Sequence, residues 1–171
     1  SAPGFVVNRV LWPYMSEAMM LAQEGVPLAV IDRAAEDFGM PMGPVELIDS
    51  VGLDVGLSVS KVLGGDLESE GLRELTKMVD AGKLGRKSGQ GFYTWESGKA
   101  VKPAPAGGQR PTDMQDRLML AMVNESVACL DEKVVTDADL LDAGVIFGTG
   151  FAPFRGGPIN YARERGFDAV V

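Results

Sequence analysis

The chain has 171 residues, of which 46% are hydrophobic, which is enough to build the packed core of one compact domain or two small ones. A formal net charge of −8 argues against nonspecific binding to nucleic acid or to an anionic membrane, and no apolar stretch reaches the ~20 residues of a membrane-spanning helix. The chain contains no histidine, which excludes Ser-His-Asp and Cys-His catalysis and disfavours a metal site.

Two amphipathic helices are predicted at the start of the chain. The first spans residues 4–24 and ends at Gly25, a residue type that commonly terminates helices. Pro13 removes one backbone donor and is expected to kink this helix or to start a new turn. The second helix is predicted over residues 28–38. The first helix carries two apolar stripes and should be buried on two sides; the stripes are Val7, Leu11, Tyr14, Ala18 and Leu21, and Trp12, Met15 and Met19.

Helical patterns continue as far as residue 81. Pro44 fits the first turn of a third helix, and the apolar pattern of that helix continues to Leu63. A fourth helix is predicted over residues 70–81. A glycine-rich turn at 82–91 and a short, aromatic, strand-like piece ending at Trp95 follow it.

From residue 96 to 112 the composition shifts to Gly, Pro, Ala, Lys and Ser, which we interpret as a linker. Beyond it we predict a long helix to residue 131, another that ends near Gly148, and a short one after Pro158. Cys129 lies in an apolar run and should be buried. Because a single cysteine cannot form an internal disulfide, we expect a reducing, cytoplasmic environment.

The two sides of the linker resemble each other, which indicates a duplicated helical unit rather than chance similarity of two amphipathic segments. Identical residues recur at an offset of 108, namely Arg9 and Arg117, Glu17 and Glu125, and Glu24 and Glu132. The offset grows in loops, to 109 for Phe38 and Phe147 and to 114 for Gly43 and Gly157. We therefore predict an all-α fold of two tandem, pseudo-symmetric repeats (1–95 and 113–171), which pack face to face as subunits of an isologous dimer do.

Three stretches are specific enough to indicate a family. They are PGFVVNRVL from Pro3, FGMPMGP from Phe38 with DSVGLD from Asp49, and LGRKSGQGFY from Leu84. Together they resemble the C-terminal domain of 3-hydroxyacyl-CoA dehydrogenases, a helical fold like the C-terminal domain of 6-phosphogluconate dehydrogenase. The second repeat, with FGTGFAPFRGGP from Phe147, looks like the second C-terminal domain of multifunctional fatty-acid oxidation α subunits.

The resemblance implies a part in fatty-acid β-oxidation, where an NAD-dependent dehydrogenase oxidises the C3 hydroxyl of a 3-hydroxyacyl-CoA. The family's NAD-binding domain, with its catalytic His and Glu, and its hydratase (lyase) domain would precede Ser1. No Gly-x-Gly-x-x-Gly follows a strand in this sequence, so we expect no cofactor site here and no activity in isolation. In the intact enzyme the acyl-CoA substrate would be shared with the missing domain, and a thiolase subunit and a second copy of the chain are candidate partners.

The resemblance assigns Asn8, in the Pro-Gly-Phe-x-x-Asn-Arg motif, to the substrate site. Its amide would donate a hydrogen bond to the developing 3-oxo group or hold the catalytic imidazole. The alternative is an ordinary residue on a solvent face of the first helix. Phe147 lies where related α subunits carry an aromatic residue near the acyl group, so it would supply apolar contact there or pack in the core. Arg155 is interpreted as a loop-to-helix contact without chemistry.

The loop 82–91 resembles a phosphate-binding loop only superficially, because Arg86 interrupts the Gly-Lys-Ser pattern and no apolar strand precedes it. Arg86 and Lys87 are either solvated cations on a tight turn, or they contact the missing domain or a CoA phosphate. The alternative function for the whole chain is a noncatalytic helical assembly module of a multienzyme complex. In that case replacing Asn8 would leave the activity of the intact enzyme unchanged. An independent hydrolase is disfavoured because the chain has no histidine and no clustered ligand spacing.

Overall fold

The computed structural model describes residues 3–62, 70–104 and 111–166. Their architecture is mostly helical, which confirms the predicted all-α class, and no helix among them is long and apolar enough to cross a membrane. The elements are α1 (Pro3–Gln23), α2 (Leu28–Phe38), α3 (Pro44–Val51), α4 (Leu53–Val62), α5 (Glu70–Asp80), β1 (Thr94–Glu96), β2 (Lys99–Val101), α6 (Met114–Asp131), α7 (Ala138–Thr149) and α8 (Pro158–Arg165), with short 3-10 turns at Arg86–Ser88 and Pro153–Arg155.

The first helix of each repeat packs against the other at the centre of the molecule. On α1, Val10, Tyr14 and Ala18 have no solvent exposure, and on α6 the same is true of Leu118 and Met122. This face is a large part of the core, and Tyr14 and Ala18 belong to the first apolar stripe that the sequence predicted. The second stripe of α1 is only half-buried and lines a cleft. The helix continues through position 13 without interruption, so the predicted new turn is absent; burial along the helix offsets the lost backbone hydrogen bond.

Reciprocal ion pairs tie α1 to α6. Arg9 near the start of α1 binds Glu125 and Glu132 at the end of α6, and Arg117 near the start of α6 binds Glu17 and Glu24 at the end of α1. The helices are therefore antiparallel and related by a pseudo-two-fold axis. The contacts to Glu132 and Glu24 are both 2.7 Å, and these hydrogen bonds lower the pKa of each glutamate. Each repeat thus occupies the face that a dimer partner would occupy.

A buried aspartate caps the third helix of each repeat. Asp32 in α2 accepts hydrogen bonds from the first backbone N–H groups of α3, and Asp142 in α7 does the same for α8. A Cβ on Gly43 would lie 2.2 Å from a carboxylate oxygen of Asp32, and one on Gly157 would lie 2.4 Å from the Asp142 side chain. Only glycine permits this approach, which explains why the Gly-Pro pair recurs in both repeats.

The predicted third helix is in fact two helices. Gly52 has φ of +110° and donates its N–H to the carbonyl of Ile48, which ends α3, and α4 begins at the next residue. The apolar pattern continues across this stop, so periodicity alone did not show the break. Leu63, where the third helix was predicted to end, lies outside the described residues.

The first part of the predicted linker is a hairpin strand. β2 pairs antiparallel with β1, and the turn residues Ser97 and Gly98 both have positive φ, as a two-residue hairpin turn requires. Lys102 then forms 2.6 Å ion pairs with Glu36 and Glu46, which attach this segment to α2 and α3. Residues 105–110 lie outside the described part, and the division into repeats 1–95 and 113–171 with a linker between them stays a prediction.

Candidate functional site

An apolar cleft of about 410 Å³ opens between α1 and the segment formed by α3, α4 and α5. Small-molecule sites commonly have volumes of roughly 300–1,000 Å³, so the cleft is large enough for a ligand. Its few polar side chains lie on α1 and α4, and no charged side chain lines it within the described residues. The arrangement therefore suits an uncharged, apolar group.

One wall of the cleft is a single face of α1. Asn8, Trp12, Met15, Met19 and Gln23 follow one another at intervals of three or four residues, which places them one helical turn apart. Residues 8 to 23 extend over about 22 Å at the α-helical rise. Methionine side chains adapt to ligands of varied shape, so this wall can accommodate a flexible apolar chain.

Val51, Val55 and Val59 line the cleft at intervals of four residues on α3 and α4. Each of these valines keeps more than a third of its surface exposed, and a Cβ built on Gly56 between them would meet no atom within 4 Å. This apolar surface remains unfilled by the described residues, which is typical of a ligand groove or of a surface that another domain covers.

Asn8 is exposed and lies at the edge of the cleft. Within the described part of the chain its amide has no hydrogen-bond partner, so its two N–H donors are available to a ligand. The structure thus brings the residue assigned by the sequence motif together with an apolar groove. Its role in substrate binding stays a prediction.

Asp49, which the sequence analysis missed, holds the loop that carries Phe92 into the cleft. This fully buried carboxylate accepts hydrogen bonds from the backbone N–H groups of Phe92 and Tyr93 at 2.9 Å and from the indole N–H of Trp95 at 3.0 Å. A Cβ on Gly91 would lie 2.2 Å from its Oδ1. The sequence offered two signals: Asp49 opens the DSVGLD stretch that carries the family resemblance, and it interrupts the apolar pattern of the third helix, which a surface position would explain equally well.

A second buried network joins the hairpin region to α2. The Tyr93 hydroxyl donates to Asp32 Oδ2 at 2.9 Å, and Lys102 Nζ lies 3.4 Å from the same oxygen. Burial raises the pKa of Asp32 despite Lys102 and the hydrogen bonds, and burial with the Asp32 charge raises the pKa of Tyr93. Burial lowers the pKa of Lys102, but Glu36 and Glu46 outweigh it, so that pKa is raised. Tyr93 and Lys102 therefore keep their protons near neutral pH, and neither can act as a general base.

Phe147 is 91% exposed on α7 and does not line the cleft. The alternative that it packs in the core is therefore wrong, while its contact with an acyl group stays a prediction. Arg155 forms the expected loop-to-helix contact, because its Nε donates to the Phe38 carbonyl at 3.2 Å and its guanidinium lies 4.0 Å from the Phe38 ring centroid.

Arg86 and Lys87 of the glycine-rich loop both have partners within the first repeat. Lys87 Nζ binds Asp54 Oδ2 at 2.7 Å, which lowers the pKa of that carboxyl, and Arg86 lies over the Trp95 ring at 5.9 Å. These contacts favour a structural role, and contact with a CoA phosphate is untested. Among the described residues, no group of three or more His, Cys, Asp or Glu side chains could hold a metal ion.

Comparisons with known proteins give one consistent result. Residues 4–95 match the family model described as 3-hydroxyacyl-CoA dehydrogenase, C-terminal domain. The fatty acid oxidation complex subunit alpha of Vibrio cholerae is 38% identical over 180 residues, which cover 98% of this chain and 25% of that protein. The corresponding subunit of Acinetobacter baumannii is 39% identical over 195 residues, which cover 99% and 26%. The chain thus spans about a quarter of the length of these relatives.

Solved structures agree on the fold. The 3-hydroxybutyryl-CoA dehydrogenase of Escherichia coli K12 superposes with a TM-score of 0.73 at 22% identity, over 99% of this chain and 54% of that one. The dehydrogenase part of multifunctional enzyme 1 from C. elegans gives a TM-score of 0.65 at 25% identity, over 86% and 37%. Because the first match covers nearly the whole chain, it extends the fold likeness beyond residues 4–95 into the second repeat.

Proposed function

Because the chain belongs to the family of 3-hydroxyacyl-CoA dehydrogenase C-terminal domains, we propose that it forms one side of the substrate site of an NAD-dependent 3-hydroxyacyl-CoA dehydrogenase of fatty-acid β-oxidation. The observation that carries the proposal is the amide of Asn8, which no described residue binds, at the edge of a cleft whose described lining is apolar and uncharged. One polar donor beside an apolar groove suits a substrate whose reacting oxygen adjoins an alkyl chain.

Oxidation at C3 removes the hydroxyl proton and a hydride from the carbon, and the C3 oxygen carries partial negative charge as the proton leaves. An N–H of Asn8 directed at this oxygen stabilises that charge and fixes the orientation of the C3 carbon. A base must take the proton, and no histidine is present for this purpose in the chain. The contribution of this chain is thus to position and polarise the substrate.

The residues of this chain do not fit NAD. A dinucleotide site of the usual type needs a parallel strand, a glycine-rich turn and a helix, whereas the described residues contain only the antiparallel β1–β2 hairpin. NAD, when bound, supplies the hydride acceptor; we place its site and the catalytic base in a part of the protein outside this chain. The 171 residues alone are therefore expected to be inactive.

The relatives are subunits of a fatty acid oxidation complex, and we extend this to the intact protein, with a thiolase subunit as its candidate partner and the cytoplasm as its location. A homodimer through the α1 face is disfavoured. That face is already covered by α6, because Arg9 and Arg117 each pair with glutamates of the other repeat.

Replacement of Asn8 by alanine in the intact protein tests the proposal. We expect kcat/KM for acetoacetyl-CoA reduction by NADH to fall about 10²–10³-fold, the loss typical of one oxyanion-binding donor. The melting temperature should not change, since the side chain is exposed and unbonded. Asn124→Ala is a matched control, because Asn124 is an exposed asparagine on the partner helix α6 and does not line the cleft.

A noncatalytic assembly module remains the second candidate, favoured by apolar residues on the surface of the second repeat. Leu140, Phe147 and Phe154 are all more than 60% exposed, which is typical of a surface that another protein or domain covers. A fully active Asn8→Ala enzyme would support this function over the first. Loss of activity with Asn8→Ala, with Asn124→Ala unaffected, would support the substrate site.

A further inference from the structure

Phe147 near the end of α7 is the counterpart of Phe38 at the end of α2, and the surroundings of the two rings differ. Phe38 is 1% exposed, whereas Phe147 is 91% exposed. We propose that Phe147 is a docking point for the part of the protein outside this chain that carries the catalytic base, and that this part places an arginine side chain on the Phe147 ring. The inference rests on the proposed function, because that function requires the base to meet the substrate beside Asn8.

The second repeat provides the groups that cover Phe38. The rings of Phe151 and Tyr161 meet the Phe38 ring edge-on, at centroid distances of 5.5 Å and 5.1 Å. The Arg155 guanidinium lies 4.0 Å from the Phe38 ring centroid, and its Nε donates to the Phe38 carbonyl at 3.2 Å. A cation is attracted to an aromatic face and also to the C-terminal end of a helix. Because α2 has no basic residue in its own last turn, Arg155 supplies the cation for both.

A difference in loop length explains why Phe147 has no such cover. The loop that follows Phe147 has nine residues (148–156) before the Gly-Pro pair, and it supplies one of the rings and the guanidinium that lie on Phe38. The loop that follows Phe38 has only four residues (39–42), Gly-Met-Pro-Met, with no aromatic and no basic side chain. The first repeat therefore cannot return to Phe147 the contacts that Phe38 receives.

Phe147 lies at the end of α1 that carries Asn8. The residue after Phe147, Gly148, packs against α1, because a Cβ built on Gly148 would lie 2.3 Å from Val7 Cγ2. Asn8 follows Val7 in the chain, so the backbones at Phe147 and Asn8 lie within about 15 Å of each other. A domain that brings its base to a substrate at Asn8 therefore has Phe147 within reach.

Two charge properties favour an arginine-bearing segment as the occupant. The last turn of α7 contains no basic residue, so the partial negative charge at its C-terminal end is not offset by the helix itself. The chain also has a formal net charge of −8, which favours a partner segment that brings positive charge over a second copy of the same acidic chain. An exposed ring face and an uncompensated helix end together reproduce what Arg155 binds in the first repeat.

The experiment introduces the photo-crosslinking amino acid p-benzoylphenylalanine at position 147 of the intact protein and maps the crosslink by mass spectrometry. We expect an intramolecular crosslink to the part that carries the catalytic base, in a segment that contains an arginine. Phe154 is the matched control, because it is a phenylalanine of the same region that is 75% exposed and already packs beside Gly39. The same label at position 154 should crosslink only within this chain.

Activity gives a second readout in the intact protein. Phe147→Ala removes the ring and should lower kcat/KM for acetoacetyl-CoA reduction by NADH about tenfold, the loss typical of one aromatic anchor at a docking surface. Phe147→Trp keeps a ring face for the cation and should retain the activity. Neither variant should change the packing of this chain, since the side chain is 91% exposed.

Several results would overturn the inference. They are a crosslink from position 147 to a second copy of the protein, to a separate subunit or to a segment without arginine, and the absence of any crosslink in a folded, active protein. The crosslink requires no turnover, so its failure is distinct from a failure of the proposed function. A weakened Asn8→Ala enzyme without the crosslink would contradict the docking alone, whereas a fully active Asn8→Ala enzyme would contradict the function itself.

Discussion

The two repeats share three helices but differ at the start of the first one. At the offset of 108, Asn8 of α1 corresponds to Asp116 of α6. Asp116 is bound by Arg165 through two 2.6 Å hydrogen bonds, and Arg165 stands, at the offset of 114, where the first repeat has Val51. In the first repeat the same two positions, Asn8 and Val51, have no side-chain hydrogen bond or ion pair with any described residue, and both line the cleft.

The difference separates the part of the framework that an ion pair holds from the part that lines the cleft. A bidentate ion pair joins α6 to α8 in the second repeat, whereas the first repeat has an amide and an apolar side chain that leave room for a ligand. The first repeat also adds α4, α5 and the hairpin, which have no counterpart among the described residues after α8. The symmetric face therefore holds the repeats together, and the added helices α4 and α5 form one side of the cleft.

Asp49 of α3, which holds the added loop before the hairpin through the backbone N–H groups of Phe92 and Tyr93, should show the largest effect on stability. Its replacement by alanine leaves three donors, two of them buried, without an acceptor, at about 1–3 kcal/mol for each buried one, and we expect a loss of about 3–5 kcal/mol in the free energy of unfolding. Urea unfolding of the 171-residue chain measures it. Arg163 occupies the corresponding position of the second repeat at the offset of 114, is half-exposed, and should tolerate alanine within about 0.5 kcal/mol. Similar losses for both variants would contradict the structural asymmetry.

Sequence patterns were sufficient to predict the bounds of a single amphipathic helix. The bounds of α2 agree with the prediction, and the repeat followed from identical residues such as Arg9 and Arg117, whose reciprocal pairs with glutamates give the repeat its physical reason. The hairpin was missed because the composition of its second strand is that of a linker. Two signals were available: aromatic Trp95 before the turn and the Ser97-Gly98 pair, which suits positive φ at both turn positions.

The cleft could not be predicted from periodicity. The second apolar stripe of α1 indicated burial, and nothing local distinguishes a stripe covered by another helix from one that lines an open groove. The buried carboxylates were missed for a related reason, since Asp32 and Asp49 find their partners 13 to 61 residues away in sequence. Only the tertiary structure shows that these aspartates organise helix starts and loops, while the assignment of Asn8 to a substrate site came from a motif.

Removing the positive charges at the α1–α6 interface tests whether the two repeats contribute equally to stability there. Arg9→Met and Arg117→Met keep most of the apolar stem and remove equivalent ion pairs, so they should destabilise the chain equally, by about 1 kcal/mol each. Thermal unfolding of the two variants side by side is the measurement. A loss of stability several times larger for one arginine than for the other would mean that the two ion-pair sets of the α1–α6 interface are not energetically equivalent, despite the pseudo-two-fold axis.

The smallest effect is expected for the ion pair of Asp116 with Arg165, which joins α6 to α8 in the second repeat. The hydrogen bonds from Arg165 lower the pKa of Asp116 below its ordinary value of 3.8, so the folded state binds this proton less readily than the unfolded state does. The resulting stabilisation is present above pH 3.8 and is lost as the pH falls through the lowered value. Asp116→Asn should therefore cost less than about 1 kcal/mol at pH 7, because the pair is partly exposed, and the gap from the wild type should close in acid. Urea midpoints of both proteins between pH 7 and pH 3 measure this gap, and a gap that stays constant or widens on acidification would show that Asp116 contributes through packing instead of charge.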